Sequence, residues 1–122
     1  MILLVDDEED VRHVIGRTLR TAGYEVEEAA DGAAAAVLLA GRTYELVITD
    51  VVMPGRDGLD LLGDLARLDK PPPVLVISGG GLKLSPEFVL TASRALGASE
   101  VLHKPFAMAE LLARVSALLA PR

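Results

Sequence analysis

What most constrains this chain is a set of short apolar runs, each closed by a polar residue. Ile2-Leu3-Leu4-Val5 ends on Asp6 and Asp7, Leu46-Val47-Ile48-Thr49 on Asp50, and Val74-Leu75-Val76-Ile77 on Ser78. Glu100-Val101-Leu102-His103 is followed by Lys104 and Pro105. Short apolar runs separated by helix-length segments read as parallel strands buried on both faces. Ligands of such sheets bind beyond the carboxyl ends of the strands. Asp6, Asp7, Asp50, Ser78 and Lys104 are therefore expected to meet in one crevice.

Strands are expected near 2–6, 24–29, 45–50, 73–78 and 100–103, and helices near 8–22, 32–41, 58–68, 85–97 and 106–120. In the first helix Val11, Ile15 and Leu19 form one stripe, with Val14 and Ala22 beside it, and Gly23 is the stop signal. Asp31-Gly32 starts the second helix, followed by strong helix formers from Ala33 to Ala36. Ser85-Pro86-Glu87 is a helix start with a capping hydroxyl, a proline and an acid in the first turn. Strict β/α alternation predicts a three-layer sandwich with right-handed crossovers. Val51 to Asp57 and Ser78 to Leu84 are read as loops at the carboxyl edge, where function concentrates.

At 122 residues the chain is the size of one domain, and residues 1–122 are read as one. A net charge of -6 disfavours nucleic acid. Cysteine is absent, which excludes disulfides and thiolate metal sites. No apolar stretch approaches the roughly 20 residues that span a bilayer, and no signal peptide is visible. The expectation is a soluble cytoplasmic domain whose start at Met1 follows trimming of a few native residues.

Asp6, Asp7 and Asp50 crowd three like charges together, which raises at least one pKa unless a cation compensates. Oxygen ligands without histidine or cysteine suit Mg²⁺. Asp50, central in the sheet, can act as a nucleophile and form an aspartyl phosphate. The metal and Lys104 would neutralise the transferring phosphoryl oxygens, with the Ser78 hydroxyl and the Gly79 N–H as further donors. Other polar residues have plainer readings. Glu8, Glu9 and Asp10 suit the first turn of a helix, Asp57 its cap, and His13 and His103 lack a second histidine to make a metal site.

Together these motifs resemble the receiver domain of two-component response regulators. The likeness rests on Leu3-Leu4-Val5-Asp6-Asp7-Glu8, Asp50-Val51-Val52-Met53-Pro54-Gly55-Arg56-Asp57-Gly58, Val76-Ile77-Ser78-Gly79 and His103-Lys104-Pro105-Phe106. It implies a flavodoxin-like, doubly wound α/β fold, a five-stranded parallel sheet in the order 2-1-3-4-5 with helices on both faces. It also implies that Asp50 is the phosphoacceptor, Asp7 a direct Mg²⁺ ligand and Asp6 a ligand acting mostly through water. The Val52 carbonyl would be a further ligand, and Ser78 and Lys104 would grip the phosphoryl group. The implied donor is a histidine kinase or phosphotransfer protein, and the implied activity is signalling, with self-phosphorylation from small donors and slow autodephosphorylation only.

Two departures stand out. Val101 occupies the position three before Lys104 where the family carries an aromatic switch residue, and valine has no ring to rotate. Gly79-Gly80-Gly81-Leu82-Lys83-Leu84 lengthens the segment after Ser78 and is a candidate replacement for that moving part. Val52 and Gly80 offer no polar side chain to orient a hydrolytic water, so the phosphoryl group is expected to be long-lived. Arg12, Gly16 and Arg20 recur opposite the core stripe and are read as a face for a partner helix. One alternative is the receiver part of a longer transcriptional regulator. Another is an Asp-nucleophile phosphohydrolase, opposed by Val52 where such an enzyme wants a second carboxylate. A third is a flavin or nucleotide carrier, opposed by the acidic loop at Asp6 to Asp10.

Overall fold

A computed structural model describes residues 1–50, 58–78, 94–95 and 97–120. Among these the order is β1 (Ile2–Val5), α1 (Glu9–Thr21), β2 (Val26–Ala29), α2 (Gly32–Gly41), β3 (Leu46–Asp50), α3 (Gly58–Ala66), β4 (Val74–Ser78), β5 (Glu100–His103) and α4 (Met108–Leu119). The strands form one parallel sheet in the order β2-β1-β3-β4-β5. Arg94 and Ala95 are helical. The remainder of the helix expected over 85–97, with its start at Ser85-Pro86-Glu87, lies outside the described residues.

Successive strand residues point to opposite faces, and both faces are covered. Leu3, Val5, Val47, Val74, Val76 and Val101 pack with Ala35 of α2 and Leu61, Leu62 and Leu65 of α3. Ile2, Leu4, Leu46, Ile48, Leu75, Ile77 and Leu102 pack with Ile15 and Leu19 of α1 and Leu111 and Val115 of α4. This two-sided burial is why the strand sequences are continuously apolar rather than alternating. Fully burying one such Leu or Ile stabilises the fold by about 1.5–3 kcal/mol.

The caps follow from local chemistry. Asp31 accepts the Ala34 N–H at 2.8 Å and starts α2. At the end of α1, Gly23 takes φ 99°, a value that glycine reaches without Cβ strain. Its N–H donates to the Arg20 carbonyl at 3.0 Å, and the Tyr24 N–H to the Leu19 carbonyl at 3.1 Å. These two bonds make a Schellman stop, which is why β2 begins at Val26 rather than at 24. Ile15 and Leu19 are buried as expected, whereas Val14 is 54% exposed and Ala22 is exposed.

The register brings the strand ends level. Val5 pairs with Thr49, Asp50 with Ile77, and Ser78 with His103. Asp6, Asp50, Ser78 and Lys104 therefore arrive at one edge of the sheet.

Candidate functional site

Asp50 is the last residue of β3 and only 4% exposed, and Asp6, one residue past β1, is 1% exposed. Asp7 is exposed. Carboxylate oxygens of all three lie within 4.8 Å of one another. At an effective dielectric of about 20, two unit charges about 5 Å apart repel by roughly 3 kcal/mol. The Lys104 ammonium opposes this repulsion. Its Nζ donates to Asp50 Oδ2 at 3.3 Å and lies 3.6 Å from Glu8 Oε1 and 3.9 Å from Asp6 Oδ2.

Among the described residues, one ammonium stands among four carboxylates. Asp6 Oδ1 accepts the Glu8 N–H at 2.9 Å, while its buried Oδ2 has no hydrogen-bond partner among the described residues. Burial pushes the Asp6 carboxyl above its ordinary value and the Asp50 charge adds to the shift, against the Glu8 N–H and Lys104. For Lys104, burial works downward, but Asp50, Asp6 and Glu8 outweigh it and the net shift is upward. A buried carboxylate oxygen without a hydrogen-bond partner among the described residues, beside two further carboxylates, fits a hard divalent cation such as Mg²⁺.

Ser78 ends β4, and its carbonyl accepts the Lys104 N–H at 2.7 Å. Ser78 and Lys104 thus belong to neighbouring strand ends joined through main chain. The Lys104–Pro105 peptide is cis. Val52, Gly79, Gly80 and Asp57 lie outside the described residues, as does the loop over 79–84. Val101 is buried against the α2–α3 face of the sheet. His103 and His13 are exposed, and His13 Nε2 sits 3.4 Å from Glu9 Oε1, one turn away.

The face expected from Arg12, Gly16 and Arg20 is corrected. Gly16 is buried, because the Glu28 side chain of β2 lies across it. A Cβ at Gly16 would stand 3.1 Å from Glu28 Oε2 and 3.3 Å from Arg20 Nη1. Arg12 Nε donates to Glu28 Oε1 at 3.2 Å and Arg20 Nη1 to Glu28 Oε2 at 2.9 Å. Helical spacing shows which residues share a face but not which strand that face meets. Glu8 sits at the head of α1, as expected, and its carboxylate also lies 3.6 Å from Lys104 Nζ.

The open surface of α1 lies elsewhere. Val11 and Val14 line a cavity of about 620 Å³ together with Pro105, Phe106 and Met108, and Lys104 forms part of its wall. The apolar hollow therefore adjoins the acidic cluster.

A family model described as the response regulator receiver domain matches residues 2–116. Response regulator MprA of a Mycobacterium species is 41% identical over 118 residues, 97% of this chain and 50% of its own length. Transcriptional regulatory protein PrrA of Mycobacterium tuberculosis is 38% identical over 121 residues, 99% of this chain and 50% of its own. The chain spans about half the length of these curated relatives. Among solved structures, the receiver domain of NtrX from Brucella abortus superposes with a TM-score of 0.86 at 33% identity, covering 98% of each chain. Chemotaxis protein CheY4 from Vibrio cholerae gives a TM-score of 0.86 at 33% identity over 97% of each chain.

Proposed function

Because this chain belongs to the response regulator receiver family, we propose that Asp50 accepts a phosphoryl group from a phosphohistidine of a histidine kinase or phosphotransfer protein. The observation that carries this reading is the buried Asp50 carboxylate, held 3.3 Å from Lys104 Nζ and within 4.8 Å of oxygens of Asp6 and Asp7. An Asp50 oxygen attacks phosphorus, the histidine N–P bond breaks, and the imidazole nitrogen leaves with the electron pair. Lys104 would neutralise a phosphoryl oxygen, and the Ser78 hydroxyl and Gly79 N–H would be further donors. Asp6, Asp7, Asp50 and the Val52 carbonyl would hold Mg²⁺, which supplies charge neutralisation for the transferring group.

The apolar cavity between α1 and the segment after β5 is the docking place we assign to the donor, in place of the Arg12–Gly16–Arg20 face. Exposed Val14 offers a partner helix apolar contact beside Lys104. We further propose that residues 1–122 form one receiver unit within a longer cytoplasmic regulator. The half-length coverage of the relatives supports this, and among the described residues no helix is long and apolar enough to cross a membrane.

Incubation with a small phosphodonor and Mg²⁺ tests the reading. Intact mass is expected to rise by one phosphoryl group, and the adduct is expected to be cleaved by hydroxylamine. Equal labelling of Asp50→Asn would sink the assignment. The length of the complete gene product decides whether an output region follows.

A further inference from the structure

We infer that Arg12, seated by Glu28, is a positioning residue for the metal ligands, an inference that rests on the Mg²⁺ reading of the acidic cluster. Arg12 Nη1 donates to the Asp6 carbonyl at 2.8 Å while Arg12 Nε donates to Glu28 Oε1 at 3.2 Å. One rigid guanidinium fork therefore spans from β2 to the turn that carries Asp6 and Asp7. The Asp6 carbonyl shares a planar peptide unit with the Asp7 N–H. Holding that carbonyl fixes the orientation of the plane on which the exposed Asp7 side chain hangs.

The remaining groups of Asp6 are held from other sides. Its N–H donates to the Ala29 carbonyl at 3.1 Å, and Oδ1 accepts from Glu8 at 2.9 Å. Without Arg12, the carbonyl is the polar group of Asp6 that loses its anchor on the side facing Asp7. Glu28 is fixed in turn by Arg20, whose Nη1 reaches Oε2 at 2.9 Å and whose Nη2 reaches the Val26 carbonyl at 2.9 Å. Gly16 leaves the room for Glu28 to cross α1. The Arg12 and Glu28 side chains are 14% and 17% exposed, so the fork is largely shielded from competing water. Its charge is directed by Glu28 to a carbonyl rather than spent on the ligand carboxylates.

The experiment titrates Mg²⁺ into the wild-type chain, Arg12→Ala, Arg12→Lys and Glu28→Gln. It measures the dissociation constant by calorimetry, the Asp7 amide resonance by NMR, and the melting temperature in chelator. Arg12→Ala is expected to weaken Mg²⁺ about tenfold, as loss of groups that orient metal ligands does. Arg12→Lys, which replaces one of the two bonds, should lie between it and wild type. Glu28→Gln keeps the shape and should weaken Mg²⁺ with an accompanying shift of the Asp7 resonance. It carries the test if Arg12→Ala does not fold. A lowered melting temperature with an unchanged Mg²⁺ dissociation constant in these variants would leave Arg12 a purely structural residue and overturn the inference. A wild-type chain that binds no Mg²⁺ would overturn the metal reading itself, and this inference with it.

Discussion

Two charge clusters flank the turn between β1 and α1, and they are built in opposite ways. In one, Asp6, Glu8 and Asp50 gather around the Lys104 ammonium, with Asp7 beside Asp6 and Asp50. In the other, the single Glu28 carboxylate has the Arg12 and Arg20 guanidiniums, with His13 Nδ1 at 3.8 Å. The Glu28 cluster is complete: both carboxylate oxygens are bonded and the glycine beneath it accommodates it. The Asp6 cluster leaves a buried oxygen without a hydrogen-bond partner among the described residues. Burying an unsatisfied carboxylate costs several kcal/mol on general grounds, and a fold retains such a feature where a ligand removes the cost. The contrast sets a satisfied charge cluster beside an unsatisfied one within one turn of helix.

The largest expected effect separates the two clusters chemically. Asp50→Asn should abolish labelling by a small phosphodonor, whereas Glu28→Gln at saturating Mg²⁺ should reach full labelling, both read by intact mass. Next comes the metal. At a tenfold excess over its dissociation constant, Mg²⁺ should stabilise the folded chain by about 1.4 kcal/mol, or roughly 5 °C in melting temperature. Asp7→Ala should lose most of that shift. Because the chain has no tryptophan, calorimetry is the suitable probe.

A pH series in chelator sharpens the comparison further. Asp6 carries a folded pKa raised above 3.8, so its protonated form is favoured by folding. The wild-type chain should therefore lose stability relative to Asp6→Asn as pH climbs from about 3.8 through the raised folded pKa. Above that window the full penalty applies, and below it the two proteins should converge. Urea midpoints measured across the series would contradict the argument if the gap were the same at every pH. The smallest effect belongs to Gly16→Ala. Alanine gains about 1 kcal/mol of helix propensity but must displace the flexible ends of Glu28 and Arg20 by a few tenths of an ångström. The net change in stability should stay within about 0.5 kcal/mol.

The parallel strands were legible because burial on both faces leaves an unbroken apolar signature, with the functional polar residues at their ends, whereas the strand order followed only from the resemblance to the receiver family. Asp6, Asp50 and Lys104 could be brought together from the apolar signature alone. What failed was the environment of α1. Val26-Glu27-Glu28-Ala29 looks like a strand with two solvated charges, and nothing local says that Glu28 folds back over Gly16. Arg12 bonds a carbonyl six residues behind it, and main-chain acceptors carry no identity in a sequence. Val14 neighbours the core stripe by helical angle yet faces the cavity, because the segment around Phe106 leaves that side open. Boundaries shifted for a similar reason: the Schellman stop occupies Gly23 and Tyr24 and delays β2.

The bond from the Lys104 N–H to the Ser78 carbonyl, 2.7 Å long, has a consequence for anyone redesigning this molecule. β5 is the outermost strand on its side of the sheet, so the lysine hangs from a border whose inner neighbour is β4. A displacement at one strand tip is expected to reach the other, as in a pair of yoked levers. The hydroxyl and the ammonium are therefore not independent dials. An exchange of parts with a relative keeps their spacing only if the whole span from 74 to 105 is moved as a block.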